Sequence, residues 1–345
     1  MRSSIGLTIA AVLLTCLAAP KAVASSPRPV VMWHGLGDSY NSGGMQRVES
    51  LIKDMYPDIF VHSIYLDEDP EKDSKASLFG KLDEQIESVC DQIASIPELQ
   101  DGFDGLGFSQ GGLFLRGYVE RCNSPKVYNL LTFGSPQNGI EDIPPCDNPR
   151  DFVCRRRNAL LKTQAYAAYA QNSLTVAQYY RDLDRFDKYL ENSRYLADVN
   201  NERAVKNLAY ADNIKSLENL VLYLFTEDQT VVPKESAWFG QTDKSNGGLM
   251  YLEDRALYRE DWIGLKTLDQ AGKLSKIVLE GRHMNITNET VVEFAEKYLG
   301  TILPETEETG EPAADAVQEA MSRFGKSFYD RLQIFMSAMS GQAYI

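Results

Sequence analysis

The first candidate for chemistry is a serine between glycines, in the segment Gly-Phe-Ser-Gln-Gly at residues 107–111. An apolar run precedes Ser109 and a helical pattern follows it, which predicts a sharp turn from a strand into a helix. Glycines suit such a turn because larger side chains would collide there. The turn would lift the hydroxyl of Ser109 above the sheet, where the positive end of the following helix favours a developing oxyanion. We therefore predict that Ser109 is a nucleophile, the alternative being a plain glycine-rich turn.

A serine hydroxyl needs a base to accept its proton, and the chain contains three histidines. His34 ends an apolar run and is expected to orient the adjacent loop by hydrogen bonding. His62 lies within an apolar stretch and is interpreted as a hydrogen-bonded core residue. His283 follows the last predicted strand, where α/β-hydrolases carry their base, in the chain order serine, acid, histidine. We predict that His283 is the base, the alternative being a surface histidine near a glycan.

The acid that orients His283 is expected just after the preceding strand. There, Glu227 and Asp228 follow the apolar run at residues 221–225. Asp228 is preferred because the Val-Val-Pro segment at residues 231–233 suits a short, fixed loop. Glu227 is the second choice, and the bland alternative is that either carboxylate is merely solvated.

Two backbone N–H groups should stabilise the oxyanion that forms when a carbonyl is attacked. One belongs to the residue after the nucleophile, which is Gln110. The other is expected in a loop after an earlier strand, and Leu36 occupies that place within His-Gly-Leu-Gly-Asp at residues 34–38. The oxyanion hole is therefore predicted from Leu36 and Gln110.

Strand and helix patterns alternate along most of the chain. Short apolar runs predict strands at residues 29–33, 59–65, 103–108, 127–133, 220–225 and 276–280, and helical spacing predicts helices at residues 45–55, 78–96, 109–122 and 289–299. This alternation predicts an α/β fold with a mostly parallel central sheet and helices on both faces. The pattern lapses at about residues 140–213, where mostly helical, Tyr-rich sequence is expected to form an insertion over the site.

Composition and charge exclude several classes of protein. The chain of 345 residues is 43% apolar, too much for a disordered protein, and its 49 acidic against 35 basic residues give a net charge of −14, which disfavours nucleic-acid binding. The long apolar run, residues 6–19, follows Arg2 and precedes a small-residue cleavage site at residues 22–24. We predict a secretory signal peptide at residues 1–24, the alternative being a retained anchor. After cleavage the protein is not expected to be an integral membrane protein.

Cleavage of the signal peptide would leave four cysteines. An even number in an oxidising compartment suggests two disulfides, with three possible pairings. Cys146 and Cys154 would close a short loop and are paired with each other, which leaves Cys90 and Cys122 to join two successive helices. Free buried thiols are the alternative if the signal peptide is not real. Because the histidines are not at ligand spacings and the cysteines are used as disulfides, we predict neither a metal nor a cofactor.

Two glycosylation sequons follow His283 closely, at Asn285 and Asn288. Such sequons are accepted in surface loops of secreted proteins, and both are predicted to be exposed acceptor sites.

Four motifs occur in the order seen in a known family. The segments are residues 34–39 (HGLGDS), 107–112 (GFSQGG), 196–200 (LADVN) and 238–240 (WFG). Over residues 29–300 the chain resembles the palmitoyl-protein thioesterases, most of all their lysosomal type 1 branch. The resemblance implies an α/β-hydrolase whose helical insertion forms an acyl groove. It also implies hydrolysis of the thioester between palmitoyl groups and cysteine of proteins or peptides, through an acyl-enzyme.

The resemblance also implies roles for individual residues. These are a catalytic set of Ser109, Asp228 and His283, oxyanion donors at Leu36 and Gln110, and disulfides Cys90–Cys122 and Cys146–Cys154. Animal members have an adjacent cysteine pair where this chain has Tyr40 and Asn41, so the loop is expected to lack their disulfide. The implied partners are S-palmitoylated proteins and peptides and the fatty acyl chain. The implied location is the lysosome or vacuole, with the extracellular space as the alternative.

The predicted domain organisation is a signal peptide at residues 1–24, a thioesterase domain at residues 25–300, and an extension at residues 301–345. The extension reads as an acidic linker and an amphipathic helix, whose mixed charges favour packing against protein over a membrane surface. Two other functions stay open: a secreted lipase or carboxylesterase acting on oxygen esters, and a non-catalytic acyl-binding protein.

Overall fold

The computed structural model describes residues 26–143 and 152–302. The predictions for the signal peptide, for the Cys146–Cys154 disulfide and for the C-terminal helix lie outside the described residues or side chains. Within the described chain, no helix has both the length and the apolarity needed to cross a membrane.

Six of the described strands form one parallel sheet, in the order β2-β1-β3-β4-β5-β8, and the short strands β6 and β7 pair as a separate antiparallel ribbon. The strand bounds are β1 Val30–Trp33, β2 Val61–Ser63, β3 Phe103–Phe108, β4 Val127–Phe133, β5 Asn219–Phe225, β6 Gln241–Thr242, β7 Leu249–Met250 and β8 Leu274–Leu279. Each strand predicted from the sequence is present to within two residues at either end. The ribbon is too short to give a sequence signal.

Helices cover both faces of this sheet. Their bounds are α1 Gly43–Met55, α2 Pro70–Leu78, α3 Leu82–Ala94, α4 Gln110–Arg121, α5 Phe152–Gln164, α6 Ala168–Ser173, α7 Thr175–Gln178, α8 Phe186–Asn192, α9 Leu196–Val199, α10 Leu208–Lys215, α11 Ala256–Arg259, α12 Leu265–Gln270 and α13 Asn288–Tyr298. Alternate residues of a strand point to opposite faces. Val30 and Met32 accordingly belong to the apolar cluster that includes side chains of α1 and α13, whereas Val31 and Trp33 belong to the cluster that includes side chains of α3 and α4. The parallel sheet, covered on both sides and carrying a serine at the turn after β3, is an α/β-hydrolase fold.

One helix was not predicted from the sequence. The helix predicted at residues 78–96 is present as α3, which begins at Leu82 and ends at Ala94. Helix α2 precedes it and is separated from it by Gly80 at φ +136°. Asp69 caps α2 by accepting hydrogen bonds from two backbone N–H groups, and Pro70 fills its first position. The buried side chains of α2 are polar, Asp73 and Ser77, so it lacks the apolar period by which helices are predicted.

The described part of the segment between β4 and α10 contains the helices α5 to α9, joined by turns and irregular stretches. One isolated bridge, Phe79 with Leu174, joins it to the residue after α2, and a second, Ile140 with Tyr180, lies within it. Several of its tyrosines are buried, and two of them, Tyr179 and Tyr195, pack edge-on against Phe114 of α4. These aromatic side chains therefore pack the segment against the rest of the fold.

The predicted disulfide between Cys90 and Cys122 is present and ties α3 to the residue that ends α4. The bridge closes a loop with a sequence separation of 32 residues. In the chain-entropy account, such a loop stabilises the folded state by about 3–4 kcal/mol. The double variant Cys90→Ser, Cys122→Ser is therefore expected to unfold in urea with a free energy of unfolding lower by about that amount. An unchanged midpoint would show that the bridge contributes no stability.

Candidate active site

Ser109 lies in the tight turn between β3 and α4, partly exposed to solvent. Its backbone has φ 52° and ψ −122°, a conformation that L-residues rarely adopt. The flanking glycines are required by close backbone approach. A Cβ on Gly107 would lie 2.2 Å from the Cα of Gly112, and one on Gly111 would lie 2.2 Å from the carbonyl oxygen of Trp33. The turn therefore exposes the serine hydroxyl at the carboxyl edge of the sheet, as predicted.

His283 reaches Ser109 from the loop between β8 and α13. Its Nε2 lies 2.8 Å from Oγ of Ser109, and its Nδ1 lies 2.6 Å from Oδ2 of Asp228. Because the carboxylate accepts, Nδ1 carries the proton and Nε2 presents its lone pair to the serine hydroxyl. The imidazole also packs edge-on against Phe225, with ring centroids 6.2 Å apart. This is the arrangement in which a histidine can remove the serine proton.

Asp228 follows β5 and is held rigidly beside the histidine. Its Oδ1 accepts hydrogen bonds from the backbone N–H groups of Thr230 (2.8 Å) and Val231 (3.0 Å), which leaves Oδ2 for His283. The side chain of Asp228 is 2% exposed, whereas Glu227 points to solvent. Of the two acids considered from the sequence, the structure brings Asp228 to the histidine.

The loop that carries Leu36 passes directly over Ser109. A Cβ on Gly35 would lie 3.1 Å from Cβ of Ser109 and 3.3 Å from the carbonyl oxygen of Phe108. Gln110 begins α4 on the other side of Ser109, and its buried side chain donates from Nε2 to the carbonyl oxygen of Ser77 at 2.9 Å. The segments that carry the Leu36 and Gln110 N–H groups thus both lie next to Ser109.

The other two histidines differ from each other in environment. His34 is buried at the end of β1, with Nδ1 3.0 Å from the carbonyl oxygen of Gly35 and Nε2 3.1 Å from Oδ2 of Asp73. It therefore contacts its own loop, as expected. His62 is half-buried rather than in the core, because β2 is the outermost strand, and burial lowers its pKa despite a hydrogen bond with Gln92.

Asp73 is a site residue that the sequence analysis missed. It is fully buried and accepts hydrogen bonds from the backbone N–H groups of Leu66 and Tyr40, each at 2.8 Å. Burial by itself would raise the pKa of Asp73, but the contact with His34 and these N–H groups lower it below its ordinary value. The available signal was the Asp-Pro pair at residues 69–70, which is typical of a helix start.

The loop after Leu36 has Tyr40 and Asn41 where cysteines were expected to be absent, and it is anchored through Tyr40. Tyr40 donates its hydroxyl to the carbonyl oxygen of Glu68 (3.0 Å) and accepts at its own carbonyl from Ser63 (2.8 Å). Its ring also packs against Tyr65, with centroids 5.4 Å apart. Noncovalent contacts therefore hold this loop at the place where a disulfide was expected to be missing.

Two of the motifs noted in the sequence are linked by hydrogen bonds next to helix α4. Arg116 of α4 is fully buried and donates to Oδ1 of Asn200 at 2.8 Å. Asn200 contacts Asn138 at 3.4 Å, and Asn138 donates to the carbonyl oxygen of Gly240 at 3.0 Å. The segments at residues 196–200 and 238–240 therefore join the helical segment to the catalytic part of the fold.

The remaining predicted positions are at the surface. Asn285 and Asn288 are both exposed, and Oδ1 of Asn288 accepts a hydrogen bond from Arg47 at 2.7 Å. Their glycosylation stays a prediction. Across residues 26–143 and 152–302, no group of three His, Cys, Asp or Glu side chains is placed to hold a metal ion.

Comparison with known proteins bears on this geometry. The sequence profile described as "Palmitoyl protein thioesterase" matches residues 29–283. "Palmitoyl-protein thioesterase 1" of Caenorhabditis elegans is 36% identical over 268 residues, covering 76% of this chain and 89% of the relative. "Palmitoyl-protein thioesterase 3" of Dictyostelium discoideum is 38% identical over 263 residues, covering 76% and 87%. "Lysosomal thioesterase PPT2" of Homo sapiens is 28% identical over 269 residues, covering 78% and 85%. This chain belongs to the palmitoyl protein thioesterase family.

Proposed function

We propose that this protein hydrolyses the thioester between a long-chain fatty acyl group and a cysteine of a protein or peptide. The observation that carries the proposal is the unbroken chain of contacts from Ser109 through His283 to Asp228, in a member of this family. Ser109 is the nucleophile, His283 is the base, and Asp228 orients the histidine. The substrates are S-palmitoylated proteins and peptides.

Acylation begins with attack of Oγ of Ser109 on the thioester carbonyl carbon. Nε2 of His283 takes the hydroxyl proton as the new C–O bond forms, and Asp228 stabilises the resulting imidazolium through Nδ1. The backbone N–H groups of Leu36 and Gln110 bind the oxyanion. Collapse breaks the C–S bond, and the departing cysteine sulfur receives the proton from His283. The product of this half-reaction is an ester between the acyl group and Ser109.

Deacylation repeats the same steps with water. His283 takes a proton from the water that attacks the acyl-serine carbonyl, and it returns that proton to Oγ of Ser109 as the C–O bond breaks. A fatty acid is released and the enzyme is restored. A thiolate leaves more readily than an alkoxide, so deacylation is expected to be slower than acylation.

The acyl chain is proposed to lie against the helical segment at residues 140–213, within a thioesterase domain at residues 25–300. Each methylene buried contributes about 0.8 kcal/mol, so part of a sixteen-carbon chain is enough for tight binding after the costs of ordering are met. Support comes from the attachment of this segment to the site, where Oγ1 of Thr175 donates to the carbonyl oxygen of Ser77 at 2.7 Å.

The direct test compares two substrates that differ in one atom. Purified protein is given a peptide carrying palmitoyl-cysteine and the same peptide carrying palmitoyl-serine, and kcat/KM is measured for each. We expect the thioester to be preferred by at least about tenfold, equivalent to ~1.4 kcal/mol in the transition state. Preference for the oxygen ester would instead identify a lipase or carboxylesterase. Absence of turnover, with no labelling of Ser109 by a fluorophosphonate, would indicate a non-catalytic acyl-binding protein.

We also propose that the protein works in the secretory pathway, in the lysosome or vacuole. Support comes from the predicted signal peptide at residues 1–24 and from relatives that are named as lysosomal. Organelle fractionation tests this, since recovery of the protein in the cytosol would contradict it.

A further inference from the structure

Helix α2 presents two buried polar side chains, Asp73 and Ser77, one turn apart. Residues four apart on a helix lie on the same face. Both side chains contact the loop at residues 34–40, and Asp73 also accepts from the backbone N–H of Leu66. The backbone carbonyl of Ser77 accepts from Gln110, the first residue of α4. The loop and α4 are the two segments that flank Ser109. Buried polar groups destabilise a fold unless they are hydrogen-bonded. The partners of Asp73 and Ser77 therefore indicate what the two side chains hold in place.

Asp73 holds the loop before and after Leu36. Its Oδ2 lies 3.1 Å from Nε2 of His34 and 2.8 Å from the backbone nitrogen of Tyr40. Nδ1 of His34 lies 3.0 Å from the carbonyl oxygen of Gly35, so the imidazole connects Asp73 to the residue before Leu36.

Ser77 holds the same loop at Gly37, the residue after Leu36. Its Oγ accepts from the backbone N–H of Gly37 at 2.7 Å and donates to the carbonyl oxygen of Ser74 at 2.6 Å. The carbonyl oxygen of Ser77 accepts from Nε2 of Gln110 at 2.9 Å. Side chains of α2 therefore contact the loop both before and after Leu36, and Gln110 is hydrogen-bonded to the same helix.

We propose that Asp73 and Ser77 are positioning residues, whose side chains hold the Leu36 N–H group at the distance from the Gln110 N–H group that the oxyanion requires. This inference rests on the proposed acyl-transfer function. Neither side chain needs to touch substrate. An oxyanion hole is effective only when its donors are fixed before reaction, because donors that must reorganise lose part of their stabilisation of the transition state. Helix α2 fixes the Leu36 loop through these contacts, although Leu36 and Gly37 themselves are exposed to solvent.

The test uses the full protein with Ser77→Ala and Asp73→Asn. Ser77→Ala is the primary variant because it removes one hydroxyl and keeps the helix, whereas a change at Asp73 puts folding at risk. We expect each to lower kcat/KM for a palmitoyl-cysteine peptide roughly tenfold, less than the ~10²–10³-fold cost of removing a donor outright. The loss should fall on kcat, with KM little changed.

A second measurement separates positioning from general damage. Palmityl trifluoromethyl ketone forms a tetrahedral adduct in which Oγ of Ser109 bonds to the ketone carbon, His283 takes the proton, and the oxyanion remains. Its inhibition constant should rise by the same factor by which kcat/KM falls. The Kd of a non-hydrolysable thioether analogue of the substrate, which has no oxyanion, should stay within about twofold of wild type.

The matched control is Asp69→Ala on the same helix. Asp69 caps α2 by accepting from the backbone N–H groups of Glu71 and Lys72, and its loss is expected to cost about 1 kcal/mol of stability. If the pair acts by positioning, this variant keeps wild-type kcat/KM and ketone inhibition. The proposal is overturned if Asp69→Ala reproduces the loss, if Ser77→Ala is fully active, or if activity falls while ketone inhibition is unchanged.

Failure of the proposed substrate would be seen separately. Hydrolysis of p-nitrophenyl butyrate also passes through an oxyanion at Ser109. If the wild type cleaves this ester but not the palmitoyl thioester, the proposed function is wrong. Ser77→Ala is then still expected to be about tenfold slower than wild type on the short ester, and equal rates would overturn the positioning role.

Discussion

Ser109→Ala is expected to lower kcat for a palmitoyl-cysteine peptide by about 10⁶-fold, the scale on which loss of a serine nucleophile acts in other hydrolases. Alanine removes the atom that forms the acyl-enzyme, and His283, 2.8 Å from that atom, then has no proton to accept. The fold should be kept, because the side chain ends in the site and the turn depends on its glycines. The measurement is the release of free thiol from the peptide, with circular dichroism as the control for folding.

The same experiment reports the order of events in the wild type. If deacylation is slower than acylation, the thiol product appears first in a burst equal to the enzyme concentration. Acid quenching during turnover should then trap the acyl chain on Ser109, as detected by mass spectrometry of the peptide that contains residues 107–111. A linear progress curve with no trapped acyl-enzyme would contradict rate-limiting deacylation. Substantial thiol release by Ser109→Ala would mean that another group attacks the thioester.

Asp228→Asn is expected to slow turnover by up to about 10⁴-fold without unfolding the protein. The amide can still accept from Thr230 and Val231 through its oxygen, but it then presents N–H rather than an acceptor to Nδ1 of His283. The imidazole is driven to the tautomer that carries its proton on Nε2, so it cannot accept the proton of Ser109. The measurement is kcat across a pH series.

Glu227→Gln is the matched control for this prediction, because it makes the same chemical change at the adjacent residue. Its side chain is exposed and the sequence analysis kept it as the second choice for the acid. Wild-type turnover in Glu227→Gln together with the loss in Asp228→Asn would support Asp228. The reverse result would assign the orienting carboxylate to Glu227 and would require a movement of the loop after β5.

The order of elements and the place of Ser109 in a strand-to-helix turn could be predicted from the sequence alone. Buried parallel strands are nearly continuous apolar runs, which is why β3 and β4 were predicted to the residue. The glycines around Ser109 could be interpreted from the sequence because a tight strand-to-helix turn admits little else. With only three histidines in the chain, His283 followed from its place after the last strand.

The folded chain was needed to see that Asp228, and not Glu227, contacts His283. Adjacent residues share almost the same sequence context, and the loop after β5 decides which of them faces His283 and which faces water. The same holds for α2, whose buried side chains are Asp73 and Ser77. Periodicity of apolar residues cannot reveal such a helix, because its inward face is polar and is satisfied by hydrogen bonds from residues distant in the chain. The sequence therefore does not reveal the residues that support the site, because their partners are known only once the chain has folded.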